Sequence, residues 1–392
     1  MVIKNCKVIL QDRIRDNVDV IVKGDKILKI VSNINETYDT DVIDGKGRYL
    51  IPGYVDIHCH GSNGYDFMDN TLTAIKEICQ YNIKNGVLSL VPTTLSSDLY
   101  ELLEFLCIIS KLDFNDMHFA NIEGIHLEGP YFSLSNAGAQ DKKYIHVPNQ
   151  KEISKILNVT DKIIRWSVAP EIPNIDILID QCKERNIMLS VAHTEANFQD
   201  IKYARERGFT HFTHLYSGMK TIFYEKGLRK VGAVEAALFY DDLTVELIGD
   251  GIHIPYELFE LIYKIKGADR IAIISDGMRA TGTNVSRSIL GSKKNGQQVV
   301  IDSDVAKSLT SGTLAGSVTP LSRMIKQIYH NTQIPLVDII KMATAVPAKI
   351  LGLRYKGAIM PGYFANLLLL NNDLDIEMVI LRGKKLDVGV VE

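Results

Sequence analysis

Two histidines one residue apart, His58 and His60 in the stretch YVDIHCHG, close a run of apolar residues. Side chains at i and i+2 of a strand point to the same side, so both imidazoles face one way and Cys59 the other. They form a candidate chelating pair. More polar side chains stand at the ends of other apolar runs: Glu128 in HLEG, His193 in VAHTE, His214 in THLY, His253 in GDGIH and Asp276 in IISDGM. A lone histidine at a strand end is more often a satisfied structural residue than a ligand. A catalytic divalent cation, however, needs imidazole and carboxylate donors converging from separate elements, with a position left for water. Glu128, His193 and His214 supply such a set. His58 and His60 could hold a second ion beside it, with Glu128 bridging, and Asp276 is placed to accept a proton from water. His126 shares a strand face with Glu128 and reads either as a support for the ligands or as a structural hydrogen bond. His118, His146, His211 and His330 read as surface or satisfied core residues, and Trp166 as packing.

The elements that must position these residues follow from the pattern around them. From Val2 to Leu50, short alternating runs such as CKVIL, VDVIVKGDKILKIV and DVIDGKGRYLIPG are separated by Asp, Gly and Asn, which predicts strands and tight turns. From Tyr54 onward, β-branched and apolar runs alternate with longer helix-like segments, as in repeated βα units with a parallel sheet. Eight such runs precede residue 280: YVDIHCH, GVLSLVPTT, FANIEGIHLEG, IRWSVAPE, IMLSVAHTE, HFTHLY, TVELIGDGIHI and RIAIISDGM. Eight is the number that closes a (β/α)8 TIM-type barrel, whose chemistry gathers where strands hand over to loops. After Leu353 the strand-and-turn pattern returns. Residues 1–52 plus 355–392 are therefore expected to form one small β-sandwich domain, with residues 53–354 as the barrel. The segment LTSGTLAGS, Leu309–Ser317, reads either as a place where backbone amides approach a polar ligand or as a turn before a helix near Thr319. Leu314 within it is a candidate substrate contact.

With 392 residues, 46% of them hydrophobic, the chain can fill a substantial core. A formal net charge of −3 with mixed signs offers no basic face for nucleic acid and no polybasic segment for a membrane. No apolar run approaches a bilayer-spanning length and no signal segment is evident, so a cytoplasmic location is expected. Five widely spaced cysteines without a CxxC pair suit reduced thiols. Neither a P-loop nor a GxGxxG follows a strand, which leaves a nucleotide cofactor unsupported.

In order along the chain, PGYVDIHCHG, HLEGPY, VAHTEA, THLYSGM, GDGIH, SDGM, GTLAGS and PGYFANLLLL resemble the amidohydrolase superfamily, and within it the N-acetylglucosamine-6-phosphate deacetylase family. The resemblance implies a (β/α)8 barrel with a terminal β-sandwich, a homodimer, and removal of acetate from an N-acetylamino sugar 6-phosphate. It implies metal binding by Glu128, His193 and His214, a further ion at His58 and His60, Asp276 as general base, and His253 beside the substrate carbonyl. The ion would be zinc, iron, manganese or cobalt, one or two per subunit. Three motifs depart from that family's pattern. Gln140 stands where a sugar-contacting histidine is usual, and Ser217 and Gly218 replace residues that help hold the phosphate. Tyr224 in FYEKGLRK replaces an arginine that reaches the neighbouring subunit's substrate, leaving Lys226 or Arg229 to supply its charge. A galacto epimer or another acylamino sugar is thus an alternative substrate. Two readings stand further off: a dihydroorotase or dipeptidase type, whose bridging carboxylated lysine is here replaced by Glu128, and a catalytically silent binding protein.

Overall fold

Each of the eight expected runs holds a strand in the computed structural model, which describes residues 1–32, 40–114, 116–119 and 121–386. The strands are Tyr54–Cys59, Val87–Pro92, Ile125–Glu128, Ile163–Val168, Met188–Val191, His211–Phe212, Thr244–Ile248 and Ile271–Ile274. The last six form one parallel sheet in sequence order, and the first two pair in parallel with each other. Single parallel bridges, Leu90 to Ile122, Thr93 to His126 and Cys59 to Gly277, join the pair to both edges of the six-stranded sheet. A helix follows each of the first seven strands or their loops, and each turns its apolar residues onto the strands. In Leu72–Lys84, for example, Ile75, Ile78, Cys79 and Ile83 are buried, and Thr71 caps the first turn by accepting the Ala74 amide at 3.2 Å.

The strands are shorter than the runs that announced them, and the reason is local. His193, His214 and Asp276 follow their strands with φ of +44°, +29° and +45°. A left-handed residue ends the ladder and swings its side chain out of the alternation, at a steric cost that surrounding structure must hold in place. These three residues therefore lie in loops, two positions past the ends of their strands, whereas His58 and Glu128 remain within strands.

Both ends of the chain share one eight-stranded sheet. Its order is Lys384–Leu386, Ile376–Leu381, Leu367–Leu370, Tyr49–Pro52, Val2–Ile9, Ile14–Lys23 and Lys26–Ser32, with Val42–Asp44 paired alongside Val2–Ile9. The four leucines Leu367–Leu370 run antiparallel to Tyr49–Pro52. Leu367 and Leu369 enter a core with Val8, Val20 and Ile380, while Leu368 and Leu370 join the core of the central body. A strand apolar at every position is thus one buried on both faces. Residues 33–39 and 387–392 of the expected terminal domain lie outside the described residues.

Besides the short pair Gly61–Ser62 with Tyr65–Asp66, two small antiparallel units were not anticipated. One is a hairpin, Phe223–Glu225 with Leu228–Lys230. The other is a three-stranded sheet of Arg287–Leu290, Gln297–Asp302 and Val305–Ser308, which packs Leu290, Val299 and Ala306 on Met278 and Ala315. The segment Leu309–Ser317 leads from this sheet toward the helix Leu321–Asn331, so the turn reading holds, yet Leu314 and Gly316 also line the cleft described below. Among the described residues, no helix is long and apolar enough to cross a membrane.

Candidate active site

At the ends of the eight parallel strands lies an open cleft of about 450 Å³. Glu128, buried at its floor, is the hub. Its Oε1 lies 2.8 Å from His214 Nε2 and 3.3 Å from His193 Nε2, and its Oε2 lies 3.4 Å from His60 Nε2. The Nε2 atoms of His58 and His60 are 3.2 Å apart, so the i, i+2 spacing does bring the two rings to one place. Asp276 Oδ1 sits 3.1 Å from His60 Nε2 and 3.4 Å from His58 Nε2.

Three of the four histidines have their tautomer set by what their other nitrogen touches. His193 Nδ1 meets the Asn136 carbonyl at 2.9 Å, His60 Nδ1 the Thr93 carbonyl at 3.2 Å, and His58 Nδ1 a Glu246 carboxylate oxygen at 3.2 Å. Each acceptor calls for a proton on Nδ1 and leaves Nε2 free to donate its lone pair. The fourth, His214, has a buried Nδ1 with no partner. Two groups of donors result, His58 with His60 and Glu128, and Glu128 with His193 and His214, all buried and with ligand atoms within 4.8 Å of one another. Nitrogen and carboxylate donors that surround one point at about 2 Å produce separations of this size, so the residues fit a divalent ion.

The electrostatics agree. Burial alone would raise the Glu128 carboxyl, but His193 and His214, with the charges of His58 and His60, hold it well below the usual range. Asp276 is likewise lowered: burial opposes ionisation and His58 and His60 outweigh it. Burial pushes His60 down, yet Asp276 and Glu128 lift it to about 9. Without an ion the carboxylates thus favour a proton on His60, and a cation would balance the same charge.

His253 lines the cleft, with Nδ1 2.8 Å from Asp250 Oδ2; burial disfavours its charge and Asp250 more than restores it. Ser217, Gly218, Leu314 and Gln140 also line the cleft. Gln140, however, has both ends of its amide engaged. Its oxygen accepts the Ser96 amide at 2.8 Å and its nitrogen donates to Glu128 Oε2 at 2.7 Å, so it braces the hub. Lys226 and Arg229 are not brought to the cleft of their own chain. Both are exposed on the Phe223–Lys230 hairpin, where Arg229 donates to the Tyr224 hydroxyl at 3.1 Å. Among the described residues, no lysine or arginine lines the cleft.

Of the remaining histidines, His126 is buried between Ser167 Oγ at 2.6 Å and Thr93 Oγ1 at 3.3 Å, the structural reading. His211 is a buried core residue whose Nδ1 lies 2.6 Å from Thr244 Oγ1, and its buried Nε2 makes no hydrogen bond among the described residues; His118, His146 and His330 are exposed. Trp166 stacks on Tyr131 and donates to the Gly129 carbonyl. The site residues missed in the sequence are Glu246, Arg165, Asp250 and Asn136. An acidic residue inside the apolar run TVELI was the available signal for Glu246, since a carboxylate in a buried strand needs a partner.

A parallel α/β architecture with histidines and one carboxylate converging at the strand ends defines a metal-supporting hydrolase class. The chain belongs to the amidohydrolase family, whose model matches residues 49–386. Within that family it falls in the N-acetylglucosamine-6-phosphate deacetylase branch. It is 30% identical to the N-acetylglucosamine-6-phosphate deacetylase of Lysinibacillus sphaericus, covering 98% of this chain and 97% of that one. It is 27% identical to the N-acetylgalactosamine-6-phosphate deacetylase of Escherichia coli O157:H7, covering 89% and 90%. The crystal structure of the N-acetylglucosamine-6-phosphate deacetylase from Thermotoga maritima superposes with a TM-score of 0.85 at 29% identity, covering 98% and 99% of the two chains.

Proposed function

We propose that this protein hydrolyses the N-acetyl group of N-acetylglucosamine 6-phosphate, giving glucosamine 6-phosphate and acetate. The observation that carries the reading is the convergence of His193 and His214 on Glu128, with Asp276 and His253 facing the same cleft. Glu128, His193 and His214 would hold the primary divalent ion, zinc first among the candidates, and His58 and His60 a second. A bound ion polarises the amide carbonyl and lowers the pKa of water toward neutrality. Asp276, held ionised, takes the proton of the attacking water and returns it to the departing amine, acting first as base and then as acid. His253, whose protonated form Asp250 favours, faces the oxyanion that develops on the carbonyl oxygen. Ser217, Gly218 and Leu314 border the sugar.

The reading extends to the whole molecule. The single bridges at Cys59, Leu90 and Thr93 support closure of the eight parallel strands into a (β/α)8 barrel over residues 53–354. The shared core of Val8, Val20, Leu367 and Leu369 supports a β-sandwich from residues 1–52 and 355–392. Among the described residues no lysine or arginine lines the cleft to meet the phosphate, which supports a homodimer in which Lys226 or Arg229 of a second copy provides the cation. A cytoplasmic enzyme of amino-sugar breakdown fits this substrate.

A second reading, the galacto epimer as substrate, is favoured by the altered residues Ser217, Gly218 and Tyr224 and by the likeness to the Escherichia coli enzyme. Acetate release from both sugar phosphates and from unphosphorylated N-acetylglucosamine, with metal content measured on the same sample, tests both readings. A preference for the gluco phosphate is expected; a preference for the galacto phosphate transfers the function to the epimer. No acetate from any of the three by metal-loaded protein overturns the deacetylase.

A further inference from the structure

Behind the ligands lies a carboxylate that the proposed reaction does not use. Glu246, fully buried on the strand Thr244–Ile248, accepts from three groups and lies beside a fourth. Its Oε2 faces His58 Nδ1 at 3.2 Å and the His214 amide at 3.0 Å. Its Oε1 is paired with the Arg165 guanidinium and lies 3.3 Å from His211 Nε2. Arg165, also fully buried, donates besides to the Ile57 carbonyl at 3.3 Å and Thr213 Oγ1 at 2.7 Å. The group holds no water-exposed atom through which a proton could easily pass.

We infer that Glu246 is a positioning residue that fixes the proton of His58 on Nδ1, so that Nε2 points with a free lone pair at His60, Glu128 and Asp276. A carboxylate bonded to a guanidinium has only acceptor sites, so the ring nitrogen facing it must be the donor. The opposite nitrogen is then the one that reaches the other ligands. The same Oε2 takes the amide of His214, which follows its strand at φ +29° and aims its N–H inward. One oxygen therefore ties the strand-borne pair to the group around Glu128, and this role rests on the metal reading of the site. Burying a carboxylate and a guanidinium carries a large desolvation penalty, and hydrophobic residues of the same volume would avoid it. A need to orient His58 accounts for an acid at this position.

The readout is the proton on His58 Nδ1, followed by ¹⁵N NMR of histidine-labelled, metal-stripped full-length protein, with His58→Gln identifying the resonance. Glu246→Gln keeps the shape. Arg165 will still claim the amide oxygen, so the new NH₂ faces His58 Nδ1 and pushes its proton to Nε2. Because that variant leaves Arg165 buried beside a neutral group, the pair Glu246→Leu with Arg165→Met repeats the test with no buried charge left over. Expected are a Nδ1 proton in the wild type, its loss in both variants, and a 10–100-fold weaker zinc affinity at one position by chelator competition, the usual effect of removing a ligand's support. A Nδ1 proton retained in the variants, or absent from the wild type, overturns the assignment. If the wild type binds no zinc, the metal reading fails by itself, and the NMR comparison still decides the role of Glu246.

Discussion

At the residue scale, the proposed roles separate cleanly by substitution. Asp276→Asn keeps a polar side chain of the same size but cannot take a proton, so turnover should fall by about 10²–10⁴ with metal content unchanged. His193→Ala or His214→Ala removes a donor from the set around Glu128 and should lose the metal itself. Metal analysis and steady-state kinetics on the same preparations check both; an Asp276→Asn enzyme of wild-type rate would remove Asp276 as the base. The proposed ligands could be picked out because each ends an apolar run, and a polar residue there is conspicuous. His58 and His60 were legible even as a pair, because strand alternation alone puts them on one side. Their supports were not. Glu246 meets Arg165 across 81 residues of sequence, and Asn136 reaches His193 through a backbone carbonyl, which leaves no trace in side-chain type. Gln140 was expected to touch sugar. Its amide is turned instead to the Ser96 amide and Glu128, a choice settled by the path of two loops.

At the element scale, the loop after the strand Ile271–Ile274 is held down by one side chain. Arg279 donates to both Asp69 carboxylate oxygens, at 2.6 and 2.7 Å, and to the carbonyls of Gly64, Gly291 and Ile289. It ties the loop carrying Asp276 to the turn after His60 and to the small three-stranded sheet. Arg279→Met leaves Asp69 buried without its partner and should cost about 3–5 kcal/mol of stability in urea unfolding; a loss below about 1 kcal/mol would assign the pair a negligible role. The eight strand runs were readable because parallel strands buried on both faces are continuous apolar stretches. The sheet from Arg287 to Ser308 was not, since it is half exposed and its alternation, as in SRSIL and QQVVID, is weak. Strand lengths were overestimated for a related reason: hydrophobic pattern continues into HTE or SDGM, whereas the backbone turns left-handed at His193 and Asp276.

At the scale of the whole molecule, the two chain ends stabilise each other through the leucines Leu367–Leu370. Leu369 is 1% exposed in the core shared with Val8 and Val20. Leu369→Ala should therefore cost about 2–5 kcal/mol while leaving catalytic constants unchanged, because its side chain lies in the terminal sheet. Urea unfolding alongside kinetics checks this, and equal stability would show that the site collapses to fill the void. That both ends join one unit was legible from the return of strand-and-turn pattern after Leu353; which strands become neighbours was not, because pairing across the chain depends on the body between them. That arrangement sets a schedule for synthesis. Tyr49–Pro52 leaves the ribosome more than 300 residues ahead of its partner Leu367–Leu370. At roughly 5–20 residues per second, that delay is on the order of 15–60 s. Throughout it the strand has an unpaired apolar edge, the kind of surface that invites pairing between nascent chains on one message. Overproduction should thus be limited by what happens during translation more than by the stability of the finished protein.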